Sequence, residues 1–131
     1  MRETLIPEAR HLVKIADLDS LESLVRTSEY SVDIAGDFEW IFGALDKRVN
    51  IDRQKVLEWG QRYIAWANEF SDRDGFPILG TEWARRMLDL ARAAGRPDLA
   101  KLTTDTILAS YAPLEKEQRW WLHQRRLQEP S

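Results

Sequence analysis

The stretch NIDRQKVLEWGQRYIAWANEF, residues 50–70, decides how this chain folds. Val56, Trp59, Tyr63, Trp66 and Phe70 follow one another at spacings of three, four, three and four. At about 100° per residue such spacing gathers all five side chains on one face of a helix, whereas a strand would split them between two faces. Lys55, Glu58, Arg62 and Glu69 fall away from that line, so the helix is amphipathic. A ligand groove could use such a row of rings, but an apolar stripe at this spacing is first of all what helical bundles pack around. Asn50 is the expected N-cap, with Asp52 in the first turn, where its charge complements the exposed N–H groups.

The same three- and four-residue recurrence runs through the rest of the chain, and no segment alternates with period two. The fold class expected is all-α: a compact bundle of about six to seven short helices built from antiparallel helical hairpins. Pro7 suits the first turn of a helix over 6–16. Asp19 and Glu22 make a capping box for a helix over 20–28, and a third helix spans 31–47. After residue 70 the stretch SDRDGFPILG, 71–80, is a loop. Thr81 then caps a helix that stops at Gly95, and Pro97 and Pro113 each stand at a first helical position. Residues 83–113 form a helical hairpin turning at AAGRPDLA; Trp83, Gly95, Ala100 and Pro113 loosely resemble a tetratricopeptide unit. The spacing drifts by one residue, though, and no copy recurs at a 34-residue period, which leaves the hairpin without a family.

With 131 residues and no Pro/Gly/Ser-rich linker, the expectation is a single domain, 1–131. Hydrophobic residues at 44% and six tryptophans place it among globular rather than disordered proteins. The first residues carry charges throughout, and no window approaches the ~20 apolar residues of a membrane span, so a cytoplasmic protein is expected. The lack of cysteine removes disulfides, thiolate catalysis and cysteine zinc sites together.

The formal net charge of −3 gives no global attraction to nucleic acid or anionic membranes. Its distribution is uneven. Residues 17–39 hold Asp17, Asp19, Glu22, Glu29, Asp33, Asp37 and Glu39 against Arg26 alone. In the third helix Ile34, Phe38, Ile41 and Leu45 make the core stripe and Phe42 widens it, while Trp40 projects roughly opposite, between Gly36 and Gly43. Two readings of Trp40 compete. Small flanking residues would let a neighbouring helix approach and bury it, whereas an exposed tryptophan rimmed by carboxylates is the profile of an interface anchor.

The last helix contains QRWWLHQRRLQ, 118–128. Leu114, Trp121 and Leu122 cluster on one side of it, and Trp120 and Leu127 on another. Such a helix either sits in a groove between two others or meets a second chain along one edge. Arginine and tryptophan can bind single-stranded nucleic acid, but Glu115, Glu117 and Glu129 share this helix, and an interfacial membrane helix would need an evenly basic face.

Catalytic chemistry finds little support. His11 and His123 sit near opposite ends, and no metal-binding spacing, phosphate loop or nucleophile elbow is present. Asp17 and Asp19 read as a turn residue and a cap, and Asp33 and Asp37, one turn apart, lack a third ligand. His123 with Arg119 offers the residue types that divide proton transfer and phosphate stabilisation, without a polar pocket around them. The expectation is therefore a noncatalytic protein-binding domain, of the inhibitor or immunity type or an adaptor or chaperone, with no cofactor and no metal. Asp33, Asp37, Glu39 and Trp40 would meet another protein with a basic surface. The alternative is an assembly subunit, a homodimer joined through Trp120 and Leu127.

Overall fold

A computed structural model describes residues 2–27, 34–69, 80–110 and 115–129, with side chains described for 7–27, 34–69, 80–109 and 115–129. Among them are seven helices and no strand: α1 (Arg2–Lys14), α2 (Leu18–Thr27), α3 (Ile34–Asp46), α4 (Arg53–Glu69), α5 (Thr81–Ala93), α6 (Pro97–Ser110) and α7 (Glu115–Gln128). The all-α class expected from the periodicity is the one observed. Packing divides the chain into two units, Met1–Tyr63 and Ile64–Ser131, the boundary falling inside α4.

In the first unit α1 packs against α2 and α3, and α2 against α3. Their apolar stripes meet in a core that includes Val13, Leu21, Val25, Phe38, Ile41 and Leu45, all buried. The N-terminal part of α4 adds Val56, Leu57, Trp59 and Tyr63. The Phe38 ring lies 5.1 Å from Trp59 and 5.3 Å from Tyr63, and Trp59 Nε1 donates to the Phe38 carbonyl at 3.0 Å. In the second unit α6 packs against both α5 and α7, around Ile64, Trp83, Met87, Leu88, Leu99, Ile107 and Trp121. The α4 stripe is buried from Val56 through Trp66; Phe70 lies outside the described residues, as do the 71–79 loop and Pro113.

The α1–α2 and α5–α6 connections turn through the same backbone device. After α5, Gly95 adopts φ +67°, its N–H donates to the Arg92 carbonyl, and Arg96 N–H donates to Ala91 at 2.8 Å. This left-handed closure, the Schellman arrangement, satisfies carbonyls that the helix end would leave bare. Pro97 then opens α6. After α1 the same pair of bonds forms from Ala16 to Val13 and from Asp17 to Leu12, yet the residue at φ +53° is Ala16. A Cβ in that region is a steric cost that glycine escapes. Ala16→Gly should therefore raise the unfolding free energy by up to about 1 kcal/mol despite glycine's larger unfolded-state entropy; a urea midpoint that falls instead would contradict this.

Several helix starts differ from the sequence expectation. Pro7 lies inside α1 rather than in its first turn; the ring removes one helical N–H bond, while Ala9 and Val13 beyond it are buried. The cap of α2 is Asp17, not Asp19: its carboxylate accepts from Ser20 N–H at 3.1 Å and Ser20 Oγ at 2.8 Å. Asp52 rather than Asn50 caps α4, accepting from Gln54 N–H at 2.9 Å. Gly80 stands at the cap of α5, and Thr81 is its first residue. For α2, α4 and α5 a capping residue type stood within two residues of the true start.

Candidate partner-binding surfaces

α3 carries the residues singled out for a partner. Its core side, Phe38, Ile41, Phe42 and Leu45, is buried. Asp37 is also buried, at 3% exposure, although its place near Trp40 had marked it as part of an acidic rim. Glu39 is half-buried and accepts a hydrogen bond from Tyr63 Oη at 3.1 Å. Trp40 is half-buried. Asp33 lies outside the described residues. At Gly43, one turn beyond Trp40, a Cβ would meet nothing within 4 Å, so among the described residues no helix packs closely there.

The described acids that precede α3, Asp17, Asp19 and Glu22, are engaged within their own unit. Arg62 reaches from α4 to Asp19 at 2.8 Å, Glu22 at 2.9 Å and Glu58 at 2.9 Å, and Glu22 also holds Arg26 at 2.9 Å. Partial burial works against the Arg62 charge, but the three carboxylates outweigh it and raise its pKa above the ordinary arginine value. The two Ser20 hydrogen bonds hold the Asp17 carboxyl below the usual carboxylate range. A count over neighbours in sequence found Arg26 alone against seven acids; Arg62, some forty residues from Glu22, is the cation such a count misses. Asp19 keeps 88% of its side chain in solvent even so.

In the second unit, α7 presents Trp121 inward, fully buried, with Gln124 beside it. Trp120 is half-buried, its ring edge-on to Trp121 at 4.9 Å and beneath the Arg85 guanidinium at 4.0 Å. Leu127 is 61% exposed. It borders a groove of about 590 Å³ that Arg92, Arg96, Pro97, Ala100 and Lys101 also line. The cations there already have partners: Arg92 donates to Gln124, Arg96 binds Asp98 and Lys101 binds Asp105. Leu122 on the outer side of α7 is exposed, so the sequence grouping of Trp121 with Leu122 does not survive as one buried edge. Glutamine 124, which periodicity could not mark as inward, takes that place because Arg92 supplies its partner.

His11 and His123 are both exposed, and Arg119 forms its ion pair with Glu115 on the preceding turn. Among the described residues no group of three or more His, Asp or Glu side chains could hold a metal ion, and no helix is long and apolar enough to cross a membrane. No family model matches the chain, and no curated protein or solved structure matches it either.

Proposed function

We propose that this chain is a noncatalytic protein-binding domain, of the inhibitor, immunity or adaptor kind, and that it meets a basic partner through the Trp40 edge of α3. The observation that carries the reading is the position of Trp40. Trp59, Trp66, Trp83 and Trp121 are buried, whereas Trp40, like Trp120, is half-buried; Trp40 adjoins Glu39, and among the described residues there is open space at Gly43 one turn on. A ring so placed gains most by losing its remaining water to a partner, which is why tryptophan dominates many interfaces. In the same unit Asp17, Asp19, Glu22 and Glu58 exceed Arg26, Lys55 and Arg62 by one charge, and Asp19 keeps 88% of its side chain in solvent, where it would favour encounter with a cationic surface.

The test is a titration of a partner recovered by cross-linking. Trp40→Ala is expected to weaken binding by about 30-fold or more, with the unfolding midpoint nearly unchanged, and the association rate should fall as salt rises. Unaltered affinity with Trp40→Ala would overturn the reading. Asp37→Lys is unsuited to this purpose, because it would force a longer side chain of opposite charge into a 3%-exposed position.

The exposure of Leu127 supports a second reading, self-association along α7. It requires a solution mass near twice 15.3 kDa that Leu127→Asp returns to the monomer value.

A further inference from the structure

The α1–α2 turn and the α3–α4 connection meet at one end of the first unit. Arg48 Nη1 donates to the Val13 carbonyl at 2.6 Å, and Arg53 Nη1 donates to the Asp46 carbonyl and carboxylate, each at 2.8 Å. After the two Ser20 hydrogen bonds, the Lys55 charge also lowers the Asp17 pKa, which brings the first turn of α4 to the start of α2. Two aliphatic side chains project from this end: Val49 is 92% exposed and Ile15 58%. Arg48 precedes the one and holds the carbonyl two residues before the other, so they stand on neighbouring connections. Lys14, Lys47, Arg48, Arg53 and Lys55 surround them, against Asp17, Asp46 and Asp52. Each of those carboxylates is engaged, by Ser20, by Arg53 and by the Gln54 N–H. The ammonium groups of Lys14, Lys47 and Lys55 are exposed and form no ion pair among the described residues. A net charge of −3 for the whole chain conceals this cationic end.

Helix electrostatics accounts for only part of it. Lys14 and Lys47 stand at the C-terminal ends of α1 and α3, where a cation is favoured. Arg53 and Lys55 occupy the first turn of α4, which contains no acid and where the helix dipole disfavours a cation. Nor does the dipole explain a valine left almost wholly in water. Cations set against a local preference, beside exposed aliphatic side chains, are what a binding surface requires.

We propose that this end of the first unit docks on an anionic lipid surface. Lipid phosphates and carboxylates meet the cations, while Val49 and Ile15 enter the boundary between headgroups and acyl chains. Two short aliphatic side chains bind weakly by themselves, and so do a few cations in salt; their contributions add when both reach the same surface. Lysine stems are long enough to keep the charge among the headgroups while the shorter side chains go deeper. A fluid boundary opens around each protruding side chain, whereas a protein partner would need an acidic rim already built around two apolar pockets. The contact lies on connections between helices and requires no membrane-spanning segment. It does not rest on the Trp40 contact, and its test needs no partner protein.

Vesicle binding by the full chain is the first arm. Vesicles of phosphatidylcholine with about a third phosphatidylserine should bind it at least about tenfold more tightly than phosphatidylcholine alone, and added salt should weaken the binding. Lys14→Gln and Lys47→Gln should each lower partitioning about fivefold. The double variant Ile15→Asp, Val49→Asp should lose binding with its urea midpoint nearly unchanged, since both side chains already lie in water. The second arm uses the absence of cysteine. An environment-sensitive fluorophore on Val49→Cys should brighten and shift to the blue with anionic vesicles, while the same dye on His123→Cys, an exposed position of the second unit, should not change. Equal binding to both kinds of vesicle, or a dye at position 49 that stays in water, overturns the proposal. Binding that falls in the lysine variants but persists in the double variant shows adsorption by charge alone and overturns it as well. Retention of single-stranded DNA without vesicle binding would assign the cations to a different polyanion, with the same consequence.

Discussion

Trp59→Ala is expected to lower the unfolding free energy by about 3–5 kcal/mol, the usual cost of emptying a large aromatic site in a core. Trp59 is fully buried, its ring packs on Phe38, and its Nε1 donates to the Phe38 carbonyl. Truncation removes all three contributions at once and leaves a cavity between α3 and α4. Small domains are stable by only about 5–15 kcal/mol, so the variant should melt far lower or populate the unfolded state at room temperature. Circular dichroism against urea measures this directly, and a loss below about 1 kcal/mol would mean that the site collapses around the missing ring.

Trp121→Ala should come next, at about 3 kcal/mol or more, because Trp121 is the one large apolar side chain that α7 buries fully. The two positions separate under a gentler change. Trp59→Phe loses ring volume and a buried hydrogen bond, the latter contributing about 0.5–1.5 kcal/mol. Trp121→Phe loses similar volume but removes an indole N–H that has no partner, which offsets part of the cost. Phenylalanine should therefore be tolerated better at 121 than at 59. Equal losses in paired urea titrations would show that the Trp121 N–H is satisfied in solution.

Much of this architecture is legible in the spacing of apolar residues. The row from Val56 to Trp66 is buried as one stripe, and Gly95 followed by Pro97 marks a hairpin turn because each residue type has a backbone conformation to itself. Ala16 closes the other hairpin in the same conformation and leaves no trace in the sequence, since alanine signals helix rather than turn. Capping was legible in kind but not in place: Asp17 and Asp19 are the same residue type two positions apart, and only the hydrogen bonds to Ser20 distinguish them.

The candidate surfaces were legible to a lesser degree, for a related reason. Charge counted along the chain overlooks partners brought in by folding, and Arg62 draws Asp19, Glu22 and Glu58 together across two helices. Periodicity treats glutamine as a surface residue, so Gln124 and Gln128 were unmarked although each makes a specific tie to a neighbouring helix. Trp40 was set apart from the α3 stripe by its angle, and it is half-buried where Phe38, Ile41 and Leu45 are buried. What no helical wheel could supply is the open space at Gly43 beside it.

The reading of Trp40 as the contact residue is best tested by fluorine NMR of the full chain labelled with 5-fluorotryptophan. Six resonances are expected from six tryptophans, and the Trp40 signal is assigned by its loss in Trp40→Phe. When a partner recovered by cross-linking is added, the account predicts that the Trp40 resonance shifts or broadens while those of the buried Trp59 and Trp121 stay in place. A Trp40 resonance that does not move while the partner binds would contradict it.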